Sequence, residues 1–135
     1  MKIAIRYYTR SGNTETLARA IADALGVNAE SVAVPLQEKV DILFLGCSYY
    51  AFDVDEAVKK FISENKENIG RIVCFGTSAM MKSTHKPMKK VCDAAGVQLS
   101  EEEFHCRGSF GPMHKGHPDE NDLTKAAAFA KRIVK

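Results

Sequence analysis

A chain of 135 residues, 45% hydrophobic and 27% charged, suits one globular domain over residues 1–135 and is too short for two. No apolar run approaches the roughly 18 residues of a membrane span, and Met1-Lys2-Ile3-Ala4-Ile5-Arg6 does not read as a signal peptide. The expectation is therefore a cytoplasmic protein with no membrane partner. A net charge of +2, from 19 Lys plus Arg against 17 Asp plus Glu, argues against nucleic acid, which selects for cations gathered into a stripe.

Ile3-Ala4-Ile5 opens the chain as a short buried strand that gives out by Thr9. Leu17, Ile21 and Leu25 then recur every four residues, the stripe of a helix that Gly26 closes. A weaker strand is expected around Val32-Ala33-Val34. Ile42-Leu43-Phe44-Leu45, running to Gly46, is a third strand, and Val58, Phe61 and Ile62 mark a second helix. Ile72-Val73-Cys74-Phe75 is a fourth strand ending at Gly76. Pro87, whose fixed φ suits a first helical position, predicts a third helix that carries Met88, Val91, Cys92 and Ala95 inward and stops at Gly96. Phe104-His105-Cys106 marks a fifth strand. The last helix is expected from Asp119-Glu120-Asn121-Asp122, whose carboxylates complement the positive helix end, with Leu123, Ala127, Ala130 and Val134 inward. Strands alternating with helices over short connections predict an α/β fold, a five-stranded parallel sheet with helices on both faces.

Lys82, Lys86, Lys89 and Lys90 with His85 read as a solvated helix face in preference to an anion-steering surface. Cys47, Cys74, Cys92 and Cys106 stand singly, without a C-x-x-C pair, so neither a disulfide framework nor a zinc site is expected. His114 and His117 have no adjoining acid or thiol and read as solvated loop residues, so no metal is expected.

In such sheets ligands sit beyond the carboxyl ends of the strands. The first of these loops, Thr9-Arg10-Ser11-Gly12-Asn13-Thr14, sets three hydroxyls, a glycine and an Asn before a helix whose leading N–H groups face the loop. That composition suits a phosphate, and the lack of a Gly-Lys-Ser/Thr ending points to a monophosphate. The alternative is that Thr9, Ser11 and Asn13 only cap the helix.

Thr9-x-Ser11-Gly12-x-Thr14 after a buried strand resembles the phosphate loop of flavodoxins. Leu45-Gly46-Cys47-Ser48 is similar to the third-strand exit of the short-chain members, Phe75-Gly76-Thr77-Ser78 to their fourth-strand exit, and Asp119 to Ile133 to their closing helix. The resemblance implies a three-layer sandwich with strand order 2-1-3-4-5, FMN as cofactor, and electron transfer between a reductase and an acceptor enzyme. It implies that Thr9, Arg10, Ser11, Gly12, Asn13 and Thr14 hold the phosphate. Ser48, Tyr49, Tyr50, Ala51 and Phe52 would lie against the flavin, with Tyr49 or Tyr50 stacked on the ring. Thr77, Ser78 and Ala79 would approach the ribityl chain and pyrimidine edge. Tyr50, Phe52, Met80 and Met81 have the alternative of ordinary packing, and Ser109 to His114 of covering the dimethylbenzene end.

No catalytic side chain is implied, because the flavin carries the electrons and the protein supplies binding and electrostatics. In the family a peptide of the third loop turns its carbonyl toward flavin N5 and stabilises the semiquinone. Here that peptide falls at Ala51-Phe52, where neither residue is glycine. An isoelectric point near 8.3 and the absence of Trp are further departures from the strongly acidic members. The runner-up is a small FMN-dependent NAD(P)H or quinone oxidoreductase. Such an enzyme commonly needs a dimer to wall its site, and with no lid-length insertion in this sequence a monomeric carrier is expected. A signalling receiver lacks its aspartate here, where Cys47 ends the third strand. A phosphatase lacks its first-loop cysteine. A cofactor-free interaction module is opposed by the intact Thr9–Thr14 loop.

Overall fold

The computed structural model describes residues 1–9, 12–48, 54–77, 85–106 and 118–135. Five parallel strands, β1 (Ile3–Tyr8), β2 (Ala29–Ser31), β3 (Val40–Ser48), β4 (Ile69–Thr77) and β5 (Gln98–Cys106), lie in the order β2-β1-β3-β4-β5. The connections carry α1 (Asn13–Leu25), α2 (Glu56–Asn65), α3 (His85–Ala95) and, after β5, α4 (Glu120–Val134).

Because strand side chains alternate, the apolar runs feed two cores at once. Leu43, Leu45, Ile72 and Cys74 pack on one face with Val58, Phe61 and Ile62 of α2 and Met88 and Cys92 of α3. Ile5, Ile42, Phe44, Val73 and Phe75 pack on the other with Leu17, Ala18 and Ile21 of α1 and Ala126, Phe129 and Ala130 of α4. Sequence and structure thus agree on an α/β fold with helices on both faces.

Several boundaries differ, each for a local reason. The second strand is not Val32-Ala33-Val34 but Ala29–Ser31, pairing with Ile5, Arg6 and Tyr7. The Val32 N–H still donates to the Tyr7 carbonyl at 2.9 Å, after which the Val34 N–H closes a turn on the Ser31 carbonyl at 3.0 Å. The carbonyls that follow serve Arg6. Its Nε donates to Val34 O at 2.9 Å and its Nη2 to Pro35 O at 3.3 Å, while Nη1 donates to Ile5 O at 3.0 Å. Arg6 is only 7% exposed, and burial pushes its pKa down while Glu30, 3.4 Å away, pulls it up. Asn65 secures the same connection: the Leu36 N–H donates to its Oδ1 at 3.0 Å.

β3 and β4 run past Gly46 and Gly76, and α3 begins two residues before Pro87, which as a third helical residue still occupies a position whose N–H needs no intrahelical acceptor. Gly26 and Gly96 end α1 and α3 in the left-handed region, at φ 70° and 73°. In α4 the buried stripe includes Ala126 and Phe129, while Leu123, Ala127 and Val134 are half-buried. The Phe129 ring meets Phe104 of β5 at 5.9 Å between centroids. β5 also loses step with β4, taking the stretch from Leu99 to Glu103 to cover the single interval from Ile72 to Cys74.

Candidate functional site

The parallel register brings the carboxyl ends of four strands level. Tyr8 of β1 pairs with Cys47 of β3, Ser48 with Thr77 of β4, and Thr77 with Cys106 of β5. The first loop enters this edge from Tyr8. Gly12 precedes α1 at φ 90° and ψ −8°, a conformation glycine adopts without the Cβ penalty. Among the described residues nothing lies within 4 Å of where a Cβ would stand, so backbone conformation, not crowding by them, calls for glycine.

The Gly12 N–H donates to Thr9 Oγ1 at 2.9 Å, which folds the loop back on itself. A hydroxyl that accepts one hydrogen bond keeps its own proton for an acceptor such as a phosphate oxygen. The expected capping role is therefore only partly what Thr9 does: it braces the loop, and Gly12 offers α1 no side-chain cap. Thr16 closes the first turn instead, with its N–H at 3.1 Å and its hydroxyl at 3.0 Å from Gly12 O. Glu15, the acid of that turn, is engaged by Arg19 at 2.7 Å on the helix surface.

Thr14 is completely buried. Its methyl carbon lies against Gly46 of β3, where a Cβ would come within 2.8 Å of it and would overlap the Phe75 ring. Across the strands Tyr7, Gly46, Phe75 and Phe104 form one row, so Gly46 is a notch between aromatic residues into which the first turn of α1 is set. Neither Gly46 nor Phe75 stood out in the sequence as a site residue. The available signal was a glycine inside a strand otherwise made of large apolar residues, which marks close approach of another segment.

Of the expected site residues, Thr9, Gly12, Asn13 and Thr14 are thus gathered at the start of α1, and Ser48 and Thr77 are paired neighbours at the ends of β3 and β4. Arg10, Ser11, Tyr49, Tyr50, Ala51, Phe52, Ser78 and Ala79 lie outside the described residues, as do Met80, Met81, Lys82, Ser109 to His114 and His117. Lys86, Lys89 and Lys90 are exposed on α3, Lys89 pairing with Asp93 at 2.9 Å, as a solvated face requires. Among the described residues no group of three or more His, Cys, Asp or Glu is gathered as metal ligands would be, and no helix is long and apolar enough to cross a membrane. Cys92 is buried and Cys106 half-buried. Burial pushes their thiols up to about 11 and about 12, so both stay protonated and poorly nucleophilic near neutrality.

Residues 4–108 match the family model described as Flavodoxin domain. The chain belongs to the flavodoxin family. Over its whole length it is 30% identical to an uncharacterized protein of Methanocaldococcus jannaschii, covering 99% of that protein. Among solved structures it is similar to a flavodoxin from the domain Archaea, with a TM-score of 0.72 and 19% identity over 98% of this chain and 96% of that one. It is also similar to rubredoxin oxygen:oxidoreductase of Desulfovibrio gigas, with a TM-score of 0.71 and 13% identity, where it covers 96% of itself but 34% of the larger protein. Flavodoxins are FMN-binding flavoproteins of electron transfer, and the cofactor is FMN. The residues present fit it: a glycine-turned loop, a hydroxyl with a proton to give and a helix start lacking a side-chain cap from Gly12 are the donors a phosphate ester needs.

Proposed function

We propose that this protein is a monomeric, single-domain, cytoplasmic electron carrier that collects electrons from a reductase and passes them to an acceptor enzyme. Bound FMN supplies the one- and two-electron chemistry. The chain's own work is binding and positioning. Thr9, Ser11 and Thr14, with the leading amides of α1 and the Arg10–Asn13 backbone, hold the phosphate. Ser48 to Phe52, continuing from the end of β3, lie against the ring, and Thr77 to Ala79, continuing from the paired end of β4, approach the ribityl chain and pyrimidine edge. The observation that supports this reading most is the turned Thr9–Gly12 loop at the head of α1, at the edge where four strands end together. With an isoelectric point near 8.3, the suitable redox partner is one with an acidic docking face.

The test is Thr14→Val, which keeps the methyl packed on Gly46 and replaces the hydroxyl by a methyl of similar size. A hydrogen bond to a charged group contributes about 1.5–3 kcal/mol, so FMN affinity should fall about tenfold to a hundredfold, read by quenching of flavin fluorescence. An unchanged affinity refutes the assigned role. The carrier role is checked separately: the holoprotein should oxidise NADPH only when a flavodoxin reductase is added. Steady turnover without one would make it an oxidoreductase in its own right.

A further inference from the structure

The phosphate loop is only as well placed as the helix that follows it, and among the described residues the head of α1 meets the sheet where Thr14 lies against Gly46. Gly46 supplies no side chain there, Phe75 from the next strand is 1% exposed, and Thr14 is fully buried between them and its own helix. We infer that Gly46 and Phe75 are positioning residues for the phosphate site: the notch at Gly46, bounded by the Phe75 ring, fixes the depth and angle at which the first turn of α1 presents its amides and the Thr14 hydroxyl.

The tightness of the notch makes it a positional device. A Cβ at Gly46 would overlap the Phe75 ring and stand 2.8 Å from the Thr14 methyl carbon, closer than real Cβ contacts come. Phe75 has little room to yield. It is buried in a packed core, and Phe104, its register partner, is itself in tilted contact with the Phe129 ring. Thr14 is the other partner of the added methyl and belongs to the first turn of α1, so displacement passes to the helix head, where the phosphate donors are. Small errors in donor placement are costly, because charge-assisted hydrogen bonds depend on short, aligned geometry.

This inference rests on the phosphate role proposed for Thr9–Thr14, and the experiment separates the two. FMN and riboflavin differ by the phosphate, so the ratio of their affinities for the full-length apoprotein isolates the phosphate site from the ring site. Both are titrated by flavin fluorescence against the wild type, Gly46→Ala, Phe75→Leu and the double variant. Gly46→Ala should lower FMN affinity about tenfold or more, equal to 1.4 kcal/mol, with riboflavin affinity held within about twofold. Adding Phe75→Leu, which frees space for the new methyl, should recover most of that loss. If Gly46→Ala does not fold, Phe75→Leu alone decides, since loosening the notch should still lower the ratio several-fold.

A wild-type ratio near one would overturn the phosphate role and this inference with it. A large wild-type ratio left unchanged by the variants, or a parallel fall for both flavins, would overturn the positioning role alone.

Discussion

Arg6 is the place where charge, burial and chain path meet, and its replacement by Met has a calculable outcome. The guanidinium donates to three carbonyls, of Val34, Ile5 and Pro35, at 2.9, 3.0 and 3.3 Å, and so ties the β2–β3 connection to β1. Hydrogen bonds from a charged donor contribute about 1.5–3 kcal/mol each, a gross loss of roughly 4–9 kcal/mol. Against this, Met spares several kcal/mol of charge desolvation and preserves most of the packing. Water reaches the partly exposed Val34 and Pro35 carbonyls. The net cost should be about 2–4 kcal/mol, lowering the urea midpoint by about 1–2 M at an unchanged slope.

Glu30 is 3.4 Å from Arg6 and 45% exposed, so solvent screens the pair and Glu30→Gln should cost under about 1 kcal/mol. FMN affinity should stay within about twofold in both variants, because Arg6 shares its strand face with Ala4 and Tyr8, opposite α1. Equal stability of Arg6→Met and the wild type, or a Glu30→Gln cost as large as that of Arg6→Met, would refute this account of the connection.

Gly12→Ala should lose about 1–2 kcal/mol in urea unfolding from backbone strain alone, since φ is 90° and no described residue comes within 4 Å of the new methyl; a loss above about 3 kcal/mol would mean a steric role instead. Asp119→Ala breaks the reciprocal cap in which Asp119 Oδ1 accepts from the Asp122 N–H and Asp122 Oδ2 from the Asp119 N–H, both at 2.9 Å. It should cost about 1 kcal/mol, and hydrogen exchange should show the first turn of α4 fraying while the strands stay protected. Cys92 titrates near 11 when folded against an ordinary value of 9.0, so the unfolded chain releases its proton first as pH rises. Its contribution is intact below about pH 9 and declines through about pH 11, at about 1.4 kcal/mol per pH unit; Cys92→Ser should flatten that limb of the stability profile.

The parallel core was readable because both faces of β1, β3 and β4 are covered, leaving unbroken apolar runs that only a buried strand explains. β2 was not. Its three residues, Ala29, Glu30 and Ser31, form an edge with one apolar side chain, while the more strand-like Val32-Ala33-Val34 is drawn into a turn whose carbonyls serve Arg6. β5 was seen only at Phe104–Cys106, because Ser100, Glu101 and Glu102 interrupt both its pattern and its register. Thr9, Gly12 and Thr14 were legible from the spacing of hydroxyls and glycine ahead of a helix. Gly46 and Phe75 were not, because their meeting with Thr14 joins three elements far apart in the chain.

The slip in β5 also bears on what the protein avoids. At this margin β5 is irregular against β4, and Glu101 and Glu102 are exposed, Glu102 anchored to Arg132 of α4 at 2.6 Å. At the far margin only the short β2 is on offer. Among the described residues a second copy laid alongside would meet an irregular, charged strand on one side and a three-residue strand on the other, which discourages growth by strand addition. Such blunted borders leave the strand tips as the surface on which the proposed carrier would meet its partners.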